Sequence, residues 1–220
     1  MQKELEIISM NEQLLLAYGR FFRNISGCQN VMVSLSGGAD SDIMLDMLLR
    51  FARLHNVDCN VFKFVFFDTG IEYQATKRHL DYLQDKYGIV IERLKAKLPV
   101  PLGCKKYGVP FISKDISAKI NSLQNNNFDF ANDGNKDFEY LSEKYKKCIS
   151  VIKWWCNVKD GFNIESEGYL KEFMIACPPK FKISQKCCDG AKKKPSNLYE
   201  VKNNIDCKCL GLRKAEGGLS

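Results

Sequence analysis

Apolar and polar positions follow two rhythms along this chain. From Glu4 to Ile25, Leu5, Ile8, Leu15 and Phe22 lie on a rough helical stripe broken only by Gly19, and Asn24, Ser26 and Gly27 close it. Val31 to Leu35 is a short apolar run between polar and glycine signals, the pattern of a strand buried on both faces. Ser36 to Ser41 reads as a tight turn. Asp42 to Leu54 reads as a helix whose only charges, Asp42, Asp46, Arg50 and Arg53, form one polar stripe. Val61 to Phe67 is a second strand, Tyr73 to Tyr87 a helix stopped by Gly88, and Ile89 to Leu94 a third strand. This order, with right-handed crossovers, predicts an α/β fold: a doubly wound, mostly parallel sheet with flanking helices.

The middle of the chain breaks the rhythm. Pro99, Pro101, Gly103, Gly108 and Pro110 interrupt residues 98–110, and residues 121–135, rich in Asn, Asp and Gly, read as a long loop. Phe138, Leu141, Tyr145, Cys148, Ile152 and Trp155 then recur at helical spacing and predict one helix. Another short helix runs to Ala176 and is ended by Pro178-Pro179. Trp154, Trp155 and the aromatics around them read as core rather than as a base-stacking platform.

Composition narrows the class. The 220 residues are 45% hydrophobic and 27% charged, ordinary for a chain with a real core and unlike a disordered or collagen-like one. No stretch approaches the ~18 apolar residues of a membrane helix. Met1 to Met10 carries Glu4 and Glu6 without an apolar run, so the expectation is a cytoplasmic protein with no membrane partner. The net charge is +7, and ten Lys/Arg against four Asp/Glu between Lys180 and Ser220 hold nearly all of it. Such an excess favours an anionic partner: phosphate, nucleotide or nucleic acid.

Ser36-Gly37-Gly38-Ala39-Asp40-Ser41, between a buried strand and a helix, is the strongest chemical signal. Its glycines let backbone approach a ligand, its amides and those of the helix start attract an anion, and Ser36 and Ser41 add hydroxyl donors. Asp40 is expected to fix the turn. It is neither a Walker A loop nor a G-x-G-x-x-G loop. Asp68, Thr69, Gly70 and Glu72 follow the second strand and fall beside it. Lys192, Lys193, Lys194 and Arg213 are expected to complete an anion site, Arg213 by bidentate contact. His55 and His79 are the only histidines, which nearly excludes a histidine-based triad or metal site; His79 is expected to be solvated. No residue earns a catalytic role from sequence.

Ten cysteines occur in the chain. Six are scattered singly and read as small buried hydrophobes. Cys187, Cys188, Cys207 and Cys209 cluster and read as an iron–sulfur centre, a zinc site, or free or redox thiols.

The Ser-Gly-Gly-x-Asp-Ser loop resembles the PP-loop of the adenine-nucleotide α-hydrolase superfamily. Asp68-Thr69-Gly70-Ile71-Glu72-Tyr73 resembles a segment of phosphoadenosine phosphosulfate (PAPS) reductases, as do Cys187-Cys188 with Lys192-Lys193-Lys194-Pro195, and Gly211 to Glu216. The resemblance runs in family order over residues 31 to 220. It implies an adenine nucleotide ligand (ATP, PAPS or adenylyl sulfate), with magnesium as a companion ion, and thiol-dependent reduction of PAPS or adenylyl sulfate to sulfite with thioredoxin or another thiol donor. Of the readings of the four cysteines it favours a [4Fe–4S] cluster. Two departures stand out. Ala39 occupies a position where many members carry Lys, and no Glu-Cys-Gly segment follows Glu216, so the expectation is that the family's C-terminal part is missing. The alternatives are an ATP pyrophosphatase that adenylates a substrate for nucleic-acid thiolation or DNA phosphorothioation, or an inactive nucleotide-binding module. The expected organisation is one domain over 1–220: helix to 27, nucleotide-binding core 31–94, loop and helical insertion 98–180, and basic cysteine-rich segment 181–220.

Overall fold

The computed structural model describes residues 11–158, 161–187 and 189–212. They form two compact units, one made of the chain up to Pro99 and from Gly190 onward, the other of Val100–Asp189.

The first unit opens with α1 (Glu12–Ile25), capped by Asn11, whose side chain accepts the Leu14 N–H at 3.1 Å. It continues through β1 (Val31–Ser34), α2 (Ala39–Leu54), β2 (Phe62–Asp68), α3 (Gln74–Tyr87) and β3 (Ile91–Lys95). Gly88 ends α3 in the left-handed conformation, φ 63°, which glycine adopts without a Cβ penalty. α2 starts three residues before the expected Asp42, so Asp40 and Ser41 belong to its first turn.

The second unit is helical, and here three expectations need correction. The proline-broken segment contains α4 (Val100–Tyr107). Pro101 falls in its first turn, where the missing N–H has no helical partner to lose. The expected long loop 121–135 instead holds the end of α5 (Lys114–Asn125) and the short α6 (Phe130–Asp133). Ile116, Ile120 and Leu123, all 0% exposed, pull α5 into the core, and Asn121 is bonded rather than solvated, its Nδ2 donating to Ile183 O at 2.6 Å. The single helix expected over 138–155 is two, α7 (Phe138–Lys144) and α8 (Ile149–Trp155), joined by the 3-10 turn Lys146–Cys148. Tyr145 leaves helical geometry at the break, where its hydroxyl and Lys144 Nζ both donate to the Asp133 carboxylate. The apolar stripe survives: Leu141, Tyr145, Cys148, Ile152 and Trp155 are all buried. Trp154 and Trp155 are core, the latter donating its indole N–H to Gly134 O at 2.9 Å. α9 (Leu170–Ala176) ends just before Pro178-Pro179.

The chain re-enters the first unit through α10 (Lys194–Lys202) and β4 (Cys207–Leu210), a strand the basic cysteine-rich composition did not announce. β4 lies parallel to β1, with Val31 opposite Cys207 and Val33 opposite Cys209. The sheet order is β3-β2-β1-β4, all parallel. Phe62, Phe64 and Phe66 pack in one core with Leu45, Leu48, Leu80 and Leu83, while Met32, Val65 and Phe67 pack in a second with Tyr199. Both faces of the sheet are therefore covered by helices, as the doubly wound reading requires. No helix among the described residues is long and apolar enough to cross a membrane.

Candidate functional site

The strand order reverses at β1, with β2 and β3 to one side and β4 to the other. Open α/β sheets bind ligands outside the carboxyl ends of the strands at such a reversal. Residues 36–41 sit there, directly after β1.

Serines close this loop. Ser41, 2% exposed, donates its hydroxyl to Gly38 O at 2.8 Å and accepts the Ser36 N–H at 3.3 Å. Ser36 Oγ lies 3.2 Å from Ser41 Oγ and accepts the Gly38 N–H at 3.4 Å. Gly38 O also accepts the N–H groups of Ser41 and Asp42, starting α2. Gly37 has φ +72°, and a Cβ there would stand 2.7 Å from Thr76 Cγ2. Gly211, just after β4, lies so close that its Cβ would stand 2.7 Å from Ser41 N and Cα. At Gly38 the opposite holds: a Cβ would meet nothing nearer than Ser36 Oγ at 3.5 Å. Ser36, Gly38 and Ala39 are exposed. The loop is packed from behind and open in front, at the positive end of a 16-residue helix.

The second loop, 68–72, is organised by its own acids. Glu72 Oε1 accepts from Thr69 N (3.0 Å) and Thr69 Oγ1 (2.5 Å), and its Oε2 accepts from Gly70 N (3.0 Å) and Ile71 N (3.2 Å). Asp68 Oδ1 accepts from Gly70 N at 3.0 Å, and Oδ2 from Lys77 Nζ at 2.7 Å. All four carboxylate oxygens are engaged locally, so this pair does not fit a magnesium cage. The carboxylates instead hold Thr69 and Gly70 in their turn. The Lys77 ammonium beside Asp68 holds its carboxyl below the ordinary 3.8. A depressed carboxylate pKa contributes stability above its unfolded value, and that contribution is lost as pH falls through the folded one. Lys77→Met is therefore expected to cost about 1 kcal/mol near neutral pH. Thermal melts should show the gap from the parent shrinking below pH 4; a gap that persists undiminished at pH 2 would refute the pairing.

Lys192, Lys193 and Lys194 are exposed around the start of α10. Arg213 lies outside the described residues. Sequence reasoning missed two contributors and the role of a third. Lys77, one turn into α3, carries a positional signal once Asp68 is known to end β2; Thr76 behind Gly37 carries none. Gly211 opens the Gly211–Glu216 segment singled out in the sequence, but nothing in that segment shows its close approach to Ser41. His79 is not simply solvated: its Nε2 lies 2.5 Å from Asp42 Oδ2, tying α3 to the start of α2.

The clustered cysteines are taken unit by unit. Cys187 belongs to the second unit, against Gly103, whose Cβ would stand 3.2 Å from Cys187 O. Cys188 lies outside the described residues. Cys207 and Cys209 lie on β4 opposite Val31 and Val33. Among the described residues no three of His, Cys, Asp and Glu are grouped to hold a metal ion.

Residues 30–125 match the family described as phosphoadenosine phosphosulfate reductase domain. That segment carries β1, β2 and β3 and the loop after β1. The chain is also similar to a protein of Methanocaldococcus jannaschii named Uncharacterized protein MJ0066, with 36% identity over 80 residues. That alignment covers 36% of this chain and 15% of the relative, so the chain spans only a small part of the relative's length. No solved structure matches.

Proposed function

We propose that this chain binds an adenine nucleotide with its phosphates against residues 36–41, and acts on the group carried by the α-phosphate in the manner of the family: reduction of PAPS or adenylyl sulfate to sulfite by an external thiol donor such as thioredoxin. One observation carries the reading: a loop rigid behind and open in front, at the point where the strand order reverses. Ser36, Gly37, Gly38 and Ser41 receive the phosphates, and Asp40 supports the turn. Asp68 and Glu72 hold Thr69 and Gly70 beside the adenosine. Lys193 and Arg213 supply cations.

A second reading has its own support. Cys207 sits at the start of β4, the end of the sheet away from residues 36–41, and Cys209 is only 8% exposed, so neither is well placed to attack a bound sulfonucleotide. That placement favours an ATP pyrophosphatase, which cleaves between α- and β-phosphates and adenylates a substrate; the basic C-terminal segment suits a nucleic acid there.

Thermal melts with ATP, PAPS and adenylyl sulfate identify the ligand, since what binds only the native state raises its melting temperature. Sulfite from PAPS with thioredoxin, against pyrophosphate from ATP with magnesium and nucleic acid, then decides between the two reactions. Sulfite is the expected product only with the thiol donor present. No stabilisation by any of the three nucleotides would sink both readings.

A further inference from the structure

Three thiols of the first unit converge away from the phosphate loop. Cys28, in the α1–β1 connection, donates its thiol to Asn24 O at 3.3 Å. Cys28 and Cys207 both pack on the core that holds Cys209, and the thiol of Cys207, at the start of β4, interacts with both of the others. The segments that bring Cys28 and Cys207 together are tied side by side. Asp206 Oδ2 accepts the N–H groups of Gln29 at 2.7 Å and Asn30 at 2.9 Å, and Asp206 N donates to Asn30 O at 2.9 Å. Cys207 and Cys209 line a cavity of about 420 Å³ with the exposed Arg20, Asn24 and Lys208, so a small reagent has a route to them.

Geometry selects the pair. Cys207 and Cys209 are two apart on one strand, which separates their Cβ atoms by roughly 6.5 Å. A disulfide needs about 3.5–4.5 Å. Cys28 and Cys207 come from different segments and carry no such restraint. Cys209 is also only 8% exposed.

We propose that Cys28 and Cys207 are a site of reversible oxidation, forming a disulfide by exchange with a small disulfide such as glutathione disulfide and stapling the end of α1 to the edge strand β4. Cys207, as thiolate, attacks one sulfur of the small disulfide, breaking its S–S bond and releasing one small thiol. Cys28, after losing its proton, attacks Cys207 Sγ in the mixed disulfide and expels the second. Two protein thiols are oxidised, one small disulfide is reduced to two thiols, and the two protons end on those thiols. Burial raises the Cys207 thiol and pushes Cys209 up to about 12, so the exchange is slow near neutral pH and quickens as pH rises.

The test incubates the full chain with glutathione disulfide at mildly alkaline pH, alkylates free thiols, digests without reduction and maps linked peptides by mass spectrometry. The expected product joins the peptides of Cys28 and Cys207, is reversed by dithiothreitol, and raises the melting temperature, since it closes a very long loop. Cys28→Ser and Cys207→Ser should each abolish it, and Cys209→Ala should leave it in place. A Cys207–Cys209 link, or no cross-link containing Cys28, would overturn the proposal.

Discussion

Gly38→Val is expected to abolish nucleotide binding without loosening the fold. The Gly38 backbone, φ −105° and ψ 162°, is open to any L-residue, and a Cβ there meets nothing within 3.4 Å. The added isopropyl group therefore projects into the open front of the loop, where the phosphates are proposed to lie. A ligand at ~100 times its Kd adds about 2.7 kcal/mol to the parent, roughly 5–10 °C for a chain of this size. The variant should melt like the parent when unliganded and show none of that shift. A full shift in Gly38→Val would mean that the loop front is not the binding surface.

Gly211→Ala should damage the same loop from behind. The new Cβ would lie 2.7 Å from Ser41 N and Cα and 2.8 Å from Asp40 C, all backbone atoms that cannot rotate away. Overpacking of this kind costs about 1–3 kcal/mol. The affected backbone is the first turn of α2, so stability and nucleotide affinity should fall together, unlike Gly38→Val, where only affinity falls. Circular-dichroism melts beside a nucleotide titration separate the cases. An unchanged melt with unchanged affinity would show that β4 does not press on the loop.

The contrast between these glycines marks what the sequence could disclose. The loop motif, the strands flanking it and the helix after it were legible, because a buried strand, a glycine turn and an amphipathic helix each leave a local period. The fourth strand was not, because Cys207-Lys208-Cys209-Leu210 is short and its inward residues are cysteines, which read equally well as ligands. The break at Tyr145 was hidden for a related reason: a 3-10 turn keeps the apolar residues on one side, so the period survives where the helix does not. The segment 121–135 misled because its asparagines suggest a loop, while Asn121 and Gln124 are bonded to Ile183, 62 and 59 residues further along the chain. At the site, the types of Asp68 and Glu72 were legible but their roles were not. Which acid binds a ligand and which holds its own backbone depends on local amides that no spacing reveals.

The most direct measurement is a backbone amide NMR titration of the full chain with ATP, PAPS and adenylyl sulfate. The loop assignment predicts that one of them shifts the amides of Ser36, Gly37, Gly38 and Ala39 along a saturable curve, with smaller shifts at Thr69 and Gly70. Saturable binding that leaves residues 36–41 unmoved, and shifts amides elsewhere instead, would contradict it.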